Sequence, residues 1–189
     1  MGKLQAHIGY SARTERRPFF YANAHEKDFV PLAPVEVEIA DARGIGATLD
    51  REGFQLVEHA SALPDLTDLA AVKSVHAGEI AGLLTSVTGC DHVAMAPMGI
   101  LRFSEKAGAN AAHDNSHPAR FVHVDMAKEA AAGMRAATAP PGHAIARSAQ
   151  FNGWRALSAP PQAVPLELCD FRSVAAADLL DCDAIFDPL

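Results

Sequence analysis

The sequence predicts a β-rich α+β domain, such as a barrel or jelly roll with flanking helices. Several short segments alternate apolar and polar residues, as half-buried strands do, and residues 35–39 are the clearest of them. Residues 65–88 instead place apolar side chains at helical spacing and end before Gly89, which predicts one long helix. The chain has 189 residues, enough for a single domain over 1–189 with its own core. Periodicity alone does not choose between a barrel and a jelly roll.

The remaining elements follow from alternation, turn residues and helix formers. Further strands are predicted at 19–21, 53–57, 90–103, 121–125, 149–157 and 166–169. Further helices are predicted at 127–137 and at 174–180, the latter capped by Ser173. Turns are predicted at 41–44 and 170–173, and a loop at 104–118.

Composition excludes several classes of partner. The formal net charge is −7 and no basic block occurs, which argues against nucleic acid. No apolar run approaches the roughly 20 residues that span a bilayer, which argues against a membrane protein. The N-terminus has no apolar segment of the kind found in signal peptides, so no secretory signal is predicted. The cysteines, Cys90, Cys169 and Cys182, form no Cys-x-x-Cys pair. Their spacing favours a reduced, cytoplasmic setting and no zinc–thiolate site.

The segment Phe-Val-His-Val-Asp at 121–125 contains the main candidate residues for a metal site. A strand has a period of two, so His123 and Asp125 are expected on one face. An imidazole and a carboxylate together supply two members of the 2-His-1-carboxylate triad that binds non-haem Fe(II). The alternative is a pair that only makes local hydrogen bonds, since His-x-Asp alone is a common pattern.

The other histidines offer weaker candidates for a metal ligand. His113 and His117 are four residues apart, but a solvated loop is the favoured interpretation of their segment. His76 lies on the apolar side of the long helix and is predicted to be a buried, hydrogen-bonded histidine. His143 is predicted at the surface in a Pro-Pro-Gly-His turn. No constellation surrounds His59 in the sequence, nor His92.

Four motifs together resemble a known oxygenase family. They are Asp-Arg-Glu-Gly-Phe at 50–54, Phe-Val-His-Val-Asp at 121–125, Phe-Asn-Gly-Trp-Arg at 151–155 and Pro-Leu-Glu-Leu-Cys-Asp-Phe-Arg-Ser-Val at 165–174. In order and spacing the chain resembles the family that includes the CmcJ component of cephamycin biosynthesis and fungal hydroxylase/desaturases of secondary metabolism. The resemblance spans about residues 15–183, and the third and fourth motifs are more specific than His-x-Asp.

The resemblance implies a double-stranded β-helix (jelly-roll) core, with Fe(II) and 2-oxoglutarate as cofactors. The implied activity is hydroxylation or desaturation of a small-molecule metabolite at an unactivated C–H bond. His123 and Asp125 match the first two iron ligands of the family.

Polar residues near the third motif are candidates for binding the cofactor or the substrate. An arginine can grip a carboxylate in bidentate fashion, so Arg155 is a candidate for 2-oxoglutarate, with Asn152 beside it. On a strand these two side chains point to opposite faces unless a bulge intervenes. A structural ion pair of Arg155 with Asp170 is the alternative. Arg102 is a candidate for binding the substrate, and a structural ion pair is again the alternative.

Two further residues of these motifs are assigned to the structure of the domain. A structural role is favoured for Arg172, and Trp154 is predicted to lie in the core.

The sequence departs from the family at its end. Relatives continue into strands that carry a second histidine ligand and an arginine for 2-oxoglutarate, and nothing matches them before Leu189. We therefore expect a jelly roll incomplete at its C-terminus, completed by further chain or by a partner such as a second copy. The lack of the second histidine and of this arginine also favours a second hypothesis, a catalytically inactive binding domain. A third is a cupin-like isomerase or lyase that uses another metal with histidines of 113–123.

Overall fold

The structure, a computed structural model, describes residues 2–21, 24–96, 99–104 and 118–186. The chain divides into two units. Unit 1 consists of Met1–Glu58, Arg102–His123 and Ala163–Leu189. Unit 2 consists of His59–Leu101 and Val124–Gln162.

An antiparallel pair of long strands forms the larger sheet of unit 1. Strand β1 is Lys3–Ser11 and strand β3 is Leu32–Ala40, paired from Lys3 opposite Ala40 to Ser11 opposite Leu32. The register places apolar residues of the two strands opposite each other, including Ile8 opposite Val35. The strand predicted at 35–39 is thus confirmed, whereas β1 was not predicted although Leu, Ala, Ile and Tyr alternate along it.

A short parallel pair lies elsewhere in unit 1. Strand β2, Phe19–Tyr21, pairs with β4, Asp183–Ile185. The ring of Phe19 stacks against that of Phe29, and the Arg16 guanidinium lies 4.7 Å and 4.6 Å from the two ring centroids. The predicted strand at 19–21 is confirmed, and it is paired with residues near the opposite end of the chain.

Helices dominate unit 2. Helix α1, Leu69–Ala71, continues through a π-helical turn at Val72–His76 into α2, Ala77–Thr88. Asp68 caps the start by accepting hydrogen bonds from two backbone N–H groups. Gly89 ends the helix with φ of 68°, a left-handed conformation that glycine adopts without strain. Helix α3, Lys128–Thr138, confirms the helix predicted at 127–137.

Several predicted elements are absent from the described residues. No strand forms at 53–57, 121–125, 149–157 or 166–169, or in the described part of 90–103. Alternation suits a strand only where a neighbouring strand completes the hydrogen-bond ladder, and the ladders in the described residues join only β1 with β3 and β2 with β4. The helix predicted at 174–180 is a single 3₁₀ turn, Ala176–Asp178, preceded by Ala175 rather than capped by Ser173.

The two sheets in the described part of the chain are each two-stranded. The jelly roll remains a prediction.

Few side chains are fully enclosed. Glu52 is 2% exposed, and among the described residues no large side chain falls below that exposure. Trp154 is 48% exposed, so its predicted place in the core is wrong. Across the described ranges, no helix has both the length and the apolar character needed to cross a bilayer.

Gly89 provides a test of the helix end. Gly89→Ala should destabilise the protein by about 1 kcal/mol, because a Cβ is strained in the left-handed region. The matched change Gly82→Ala lies inside α2, where an added Cβ meets nothing within 4 Å. It should stabilise by roughly 1 kcal/mol through helix propensity. Urea unfolding measures both variants, and equal effects of the same sign would contradict the assignment of the helix end.

Candidate functional site

The first and fourth sequence motifs meet in unit 1. The Glu52 carboxylate accepts a hydrogen bond from the Thr48 N–H at 2.8 Å and lies 3.2 Å from Nη2 of Arg172. The Glu52 carbonyl oxygen accepts from the Phe171 N–H at 2.9 Å. Gly53 beside it has φ of 85°, and a Cβ there would lie 3.2 Å from Cβ of Phe171. These contacts give both motifs a structural role.

Arg172 completes this structural network. Its guanidinium donates to both carboxylate oxygens of Asp170, with Nη2 to Oδ2 at 2.6 Å. The Thr48 N–H and the neighbouring arginines, Arg51 and Arg172, hold the pKa of Glu52 below its usual range. Arg172 likewise lowers the pKa of Asp170. The structural role predicted for Arg172 is confirmed, and Asp170 pairs with Arg172 whereas Arg155 contacts His59.

His123 lies at the end of a segment that is anchored on strand β1. The Val122 N–H donates to the Gly9 carbonyl at 2.9 Å. A Cβ on Gly9 would lie 3.1 Å from the Arg120 carbonyl oxygen, so the absence of a side chain permits this close approach. His123 is exposed, and its Nδ1 lies 3.0 Å from the Phe121 carbonyl oxygen. A carbonyl only accepts, so Nδ1 carries hydrogen and the neutral ring has its lone pair on Nε2.

Asp125 lies in unit 2 and contacts the third sequence motif. Its Oδ2 accepts a hydrogen bond from Nδ2 of Asn152. Both residues are exposed. The division between the units falls after His123, and the segment 121–125 bends at Phe121 and Asp125 instead of forming the predicted strand. His123 and Asp125 therefore do not share a strand face, and that prediction is wrong.

Arg155 approaches a histidine that the sequence did not connect to it. Its Nη1 donates to the His59 carbonyl at 3.0 Å, and its Nη2 donates to Nδ1 of His59 at 2.6 Å. Both residues are half-buried in unit 2. Arg102, the predicted substrate residue, is half-buried in unit 1.

A second hydrogen-bonded cluster in unit 2 is centred on Glu79. Its carboxylate accepts from the Ser61 hydroxyl and the Ala62 N–H, each at 2.7 Å. Nδ1 of His76 donates to Oε2 of Glu79 at 2.7 Å. These donors, with the Ser61 hydroxyl first, lower the pKa of Glu79 to about 2. His76 and Glu79 are 15% and 17% exposed, so the predicted hydrogen-bonded histidine is confirmed but only partly buried.

Among the described residues, the remaining histidines do not complete a metal site. His113 and His117 lie outside the described residues, while His92 and His143 are exposed. In the ranges that the structure describes, no three His, Cys, Asp or Glu side chains come together to hold a metal ion. His123 and Asp125 have suitable donor atoms for Fe(II), but the described side chains alone do not complete a three-donor site.

Comparison with known proteins identifies the family. Residues 8–188 match the family described as "YDMC: Oxidoreductase/YMDC permease-like domain". The chain belongs to this family. Membership in the oxidoreductase/YMDC family agrees with the oxidoreductase part of the sequence prediction and supports a general oxidoreductase role. The narrower CmcJ-like assignment remains a prediction. Neither a curated protein nor a solved structure matches the chain significantly.

The Glu79 cluster predicts a specific pH dependence of stability. Ionised Glu79 is stabilised by three donors in the folded chain, so its contribution is present above the ordinary pKa of 4.5 and is lost as the pH falls towards 2. Glu79→Gln should therefore lower the thermal midpoint at pH 7 and have little effect near pH 2. The exposed Glu58 provides the control, since Glu58→Gln should change little at either pH. Equal destabilisation by Glu79→Gln at both pH values would contradict the assignment.

Proposed function

We propose that this chain is an oxidoreductase that uses Fe(II) and 2-oxoglutarate to hydroxylate or desaturate a small-molecule metabolite. Family membership supports the oxidoreductase part, and the four sequence motifs support the cofactors. One structural observation carries the proposal further. Each of the two candidate ligands has a hydrogen-bond partner of the kind that orients metal ligands, namely the Phe121 carbonyl for His123 and the Asn152 amide for Asp125.

The protein's own residues would each have a limited task in this proposal. In the neutral ring of His123 the lone pair lies on Nε2, because Nδ1 donates to a carbonyl oxygen, so Nε2 is the atom that would bind the metal. Asn152 holds one oxygen of the Asp125 carboxylate and so fixes the orientation of the other. When bound, Fe(II) with 2-oxoglutarate supplies the oxidising chemistry, and the protein positions the target carbon. The contacts of Arg102 and Arg155 with a carboxylate of substrate or 2-oxoglutarate are part of the same proposal.

Formation of succinate from 2-oxoglutarate tests this function. The purified chain with Fe(II) and ascorbate should form succinate, slowly without substrate and faster with one. His123→Ala should abolish the reaction, and Asn152→Ala should lower it by about 10–100-fold, the usual loss when a partner of a metal ligand is removed. His143→Ala is the matched control, because Nδ1 of His143 also bonds a carbonyl oxygen two residues earlier, at 3.0 Å.

The control should retain full activity. Equal activity in wild type, His123→Ala and Asn152→Ala would contradict the proposal.

A catalytically inactive binding domain is the second candidate. It is favoured by the absence, within the described portions of the chain, of a three-donor metal group. Calorimetric titration with Mn(II), as a surrogate for Fe(II), separates the two functions. Binding weaker than about millimolar, unchanged by His123→Ala, supports the binding domain, whereas tight one-to-one binding abolished by that change excludes it.

A further inference from the structure

Two histidines in unit 2 have fixed hydrogen-bonding roles that the proposed function does not use. The ring centroids of His59 and His76 are 6.2 Å apart, with 60° between their planes. An arginine only donates, so the bond from Arg155 places the lone pair of His59 on Nδ1 and the hydrogen of its neutral ring on Nε2. A carboxylate only accepts, so the bond to Glu79 places the hydrogen of His76 on Nδ1 and its lone pair on Nε2.

The two imidazoles therefore have opposite hydrogen-bonding roles at Nε2. His59 offers an N–H donor and His76 offers an acceptor, and neither Nε2 has a hydrogen-bond partner among the described residues. The separation of the ring centroids is compatible with one hydroxyl group between the two Nε2 atoms, accepting one hydrogen bond and donating another, each about 2.8 Å long.

We propose that His59 and His76 form a binding site for the hydroxyl group of a small molecule. His59 Nε2–H donates to the hydroxyl oxygen, and His76 Nε2 accepts the hydroxyl hydrogen. Arg155 and Glu79 are positioning residues that hold the two rings in opposite tautomers. The site involves neither His123 nor Asp125 and shares only Arg155 with the iron chemistry proposed above, so it can be tested without iron or 2-oxoglutarate.

The surrounding backbone supports a built site. The π-helical turn Val72–His76 ends at His76, and such turns occur frequently at functional sites because they change the direction of side chains within a helix. The segment that carries Arg155 packs on α2, where a Cβ on Gly153 would lie 3.8 Å from Cγ2 of Ile80. Glu79 precedes Ile80, so both positioning residues lie on elements that contact each other.

Two other chemistries fit these residues less well. Ser61, His76 and Glu79 include the residue types of a hydrolase triad, but the Ser61 hydroxyl donates to Glu79, so no imidazole is positioned to remove its proton. A metal ion between the histidines is opposed by the Arg155 guanidinium, whose positive charge is bonded directly to the His59 ring. A neutral hydroxyl group conflicts with neither arrangement.

Nuclear magnetic resonance of the histidine rings in the full chain tests the site. Long-range ¹H–¹⁵N spectra report which ring nitrogen carries hydrogen, and we expect Nε2–H in His59 and Nδ1–H in His76. Titration with hydroxyacetone should shift both sets of ring signals saturably, and acetone, which lacks the hydroxyl, should not. The exposed His143 is the internal reference for non-specific shifts.

Variants separate the proposed site from a merely structural cluster. Glu79→Gln should release the tautomer of His76 and weaken hydroxyacetone binding about tenfold or more, since a charged hydrogen bond is lost. Arg155→Met should likewise release the tautomer of His59 and weaken hydroxyacetone binding. Ser61→Ala is the matched control, because it removes one bond to the same carboxylate without touching either ring, and it should preserve both tautomers.

Two results would overturn the proposal. One is the same tautomer in both wild-type rings. The other is a response to hydroxyacetone at His59 and His76 no larger than that at His143.

Discussion

The buried carboxylate of Glu52 joins the first and fourth sequence motifs in unit 1. At 2% exposure a charged group must be compensated by donors, since leaving water is costly. Its donors are the Thr48 N–H, the Arg51 guanidinium and the more distant Arg172. The hydrogen bond from Thr48 to the Glu52 carboxylate therefore closes the turn at 48–52. The ion pair with Arg172 holds residues 170–173 against this turn. The neighbouring Phe171 is 67% exposed, so its ring does not enclose this contact.

The four sequence motifs divide into two pairs in the structure. Residues 50–54 contact residues 170–173 around Glu52, in unit 1. Asp125 of the second motif accepts from Asn152 of the third, in unit 2. The first pair stabilises the fold, whereas the second contains a candidate metal ligand and the amide that orients it. The motifs that resemble the oxygenase family therefore include both residues that stabilise the fold and residues proposed to act in the site.

Local signals predicted local structure well. Residues 77–88 and 128–138 are helical as their spacing indicates, and Gly89 ends the first of them because its backbone requires positive φ. A strand also needs a neighbouring strand to pair with, and the sequence does not specify this neighbour. Residues 121–125 and 149–157 therefore alternate apolar and polar side chains without forming strands. The contact of Arg155 with His59 joins residues 96 positions apart, and no pattern signals it. A glutamate three residues after His76 on a helix was the one available sign of the Glu79 cluster.

We propose that residues 121–125 carry ligands for iron in an oxidoreductase. Anaerobic titration of the chain with Fe(II) and 2-oxoglutarate tests it most directly, because the chelate formed on a protein-bound iron absorbs visible light. We expect an absorption band that saturates at one equivalent of iron and disappears in Asp125→Ala. A chain that forms no band, or one whose band persists unchanged in both His123→Ala and Asp125→Ala, would contradict it.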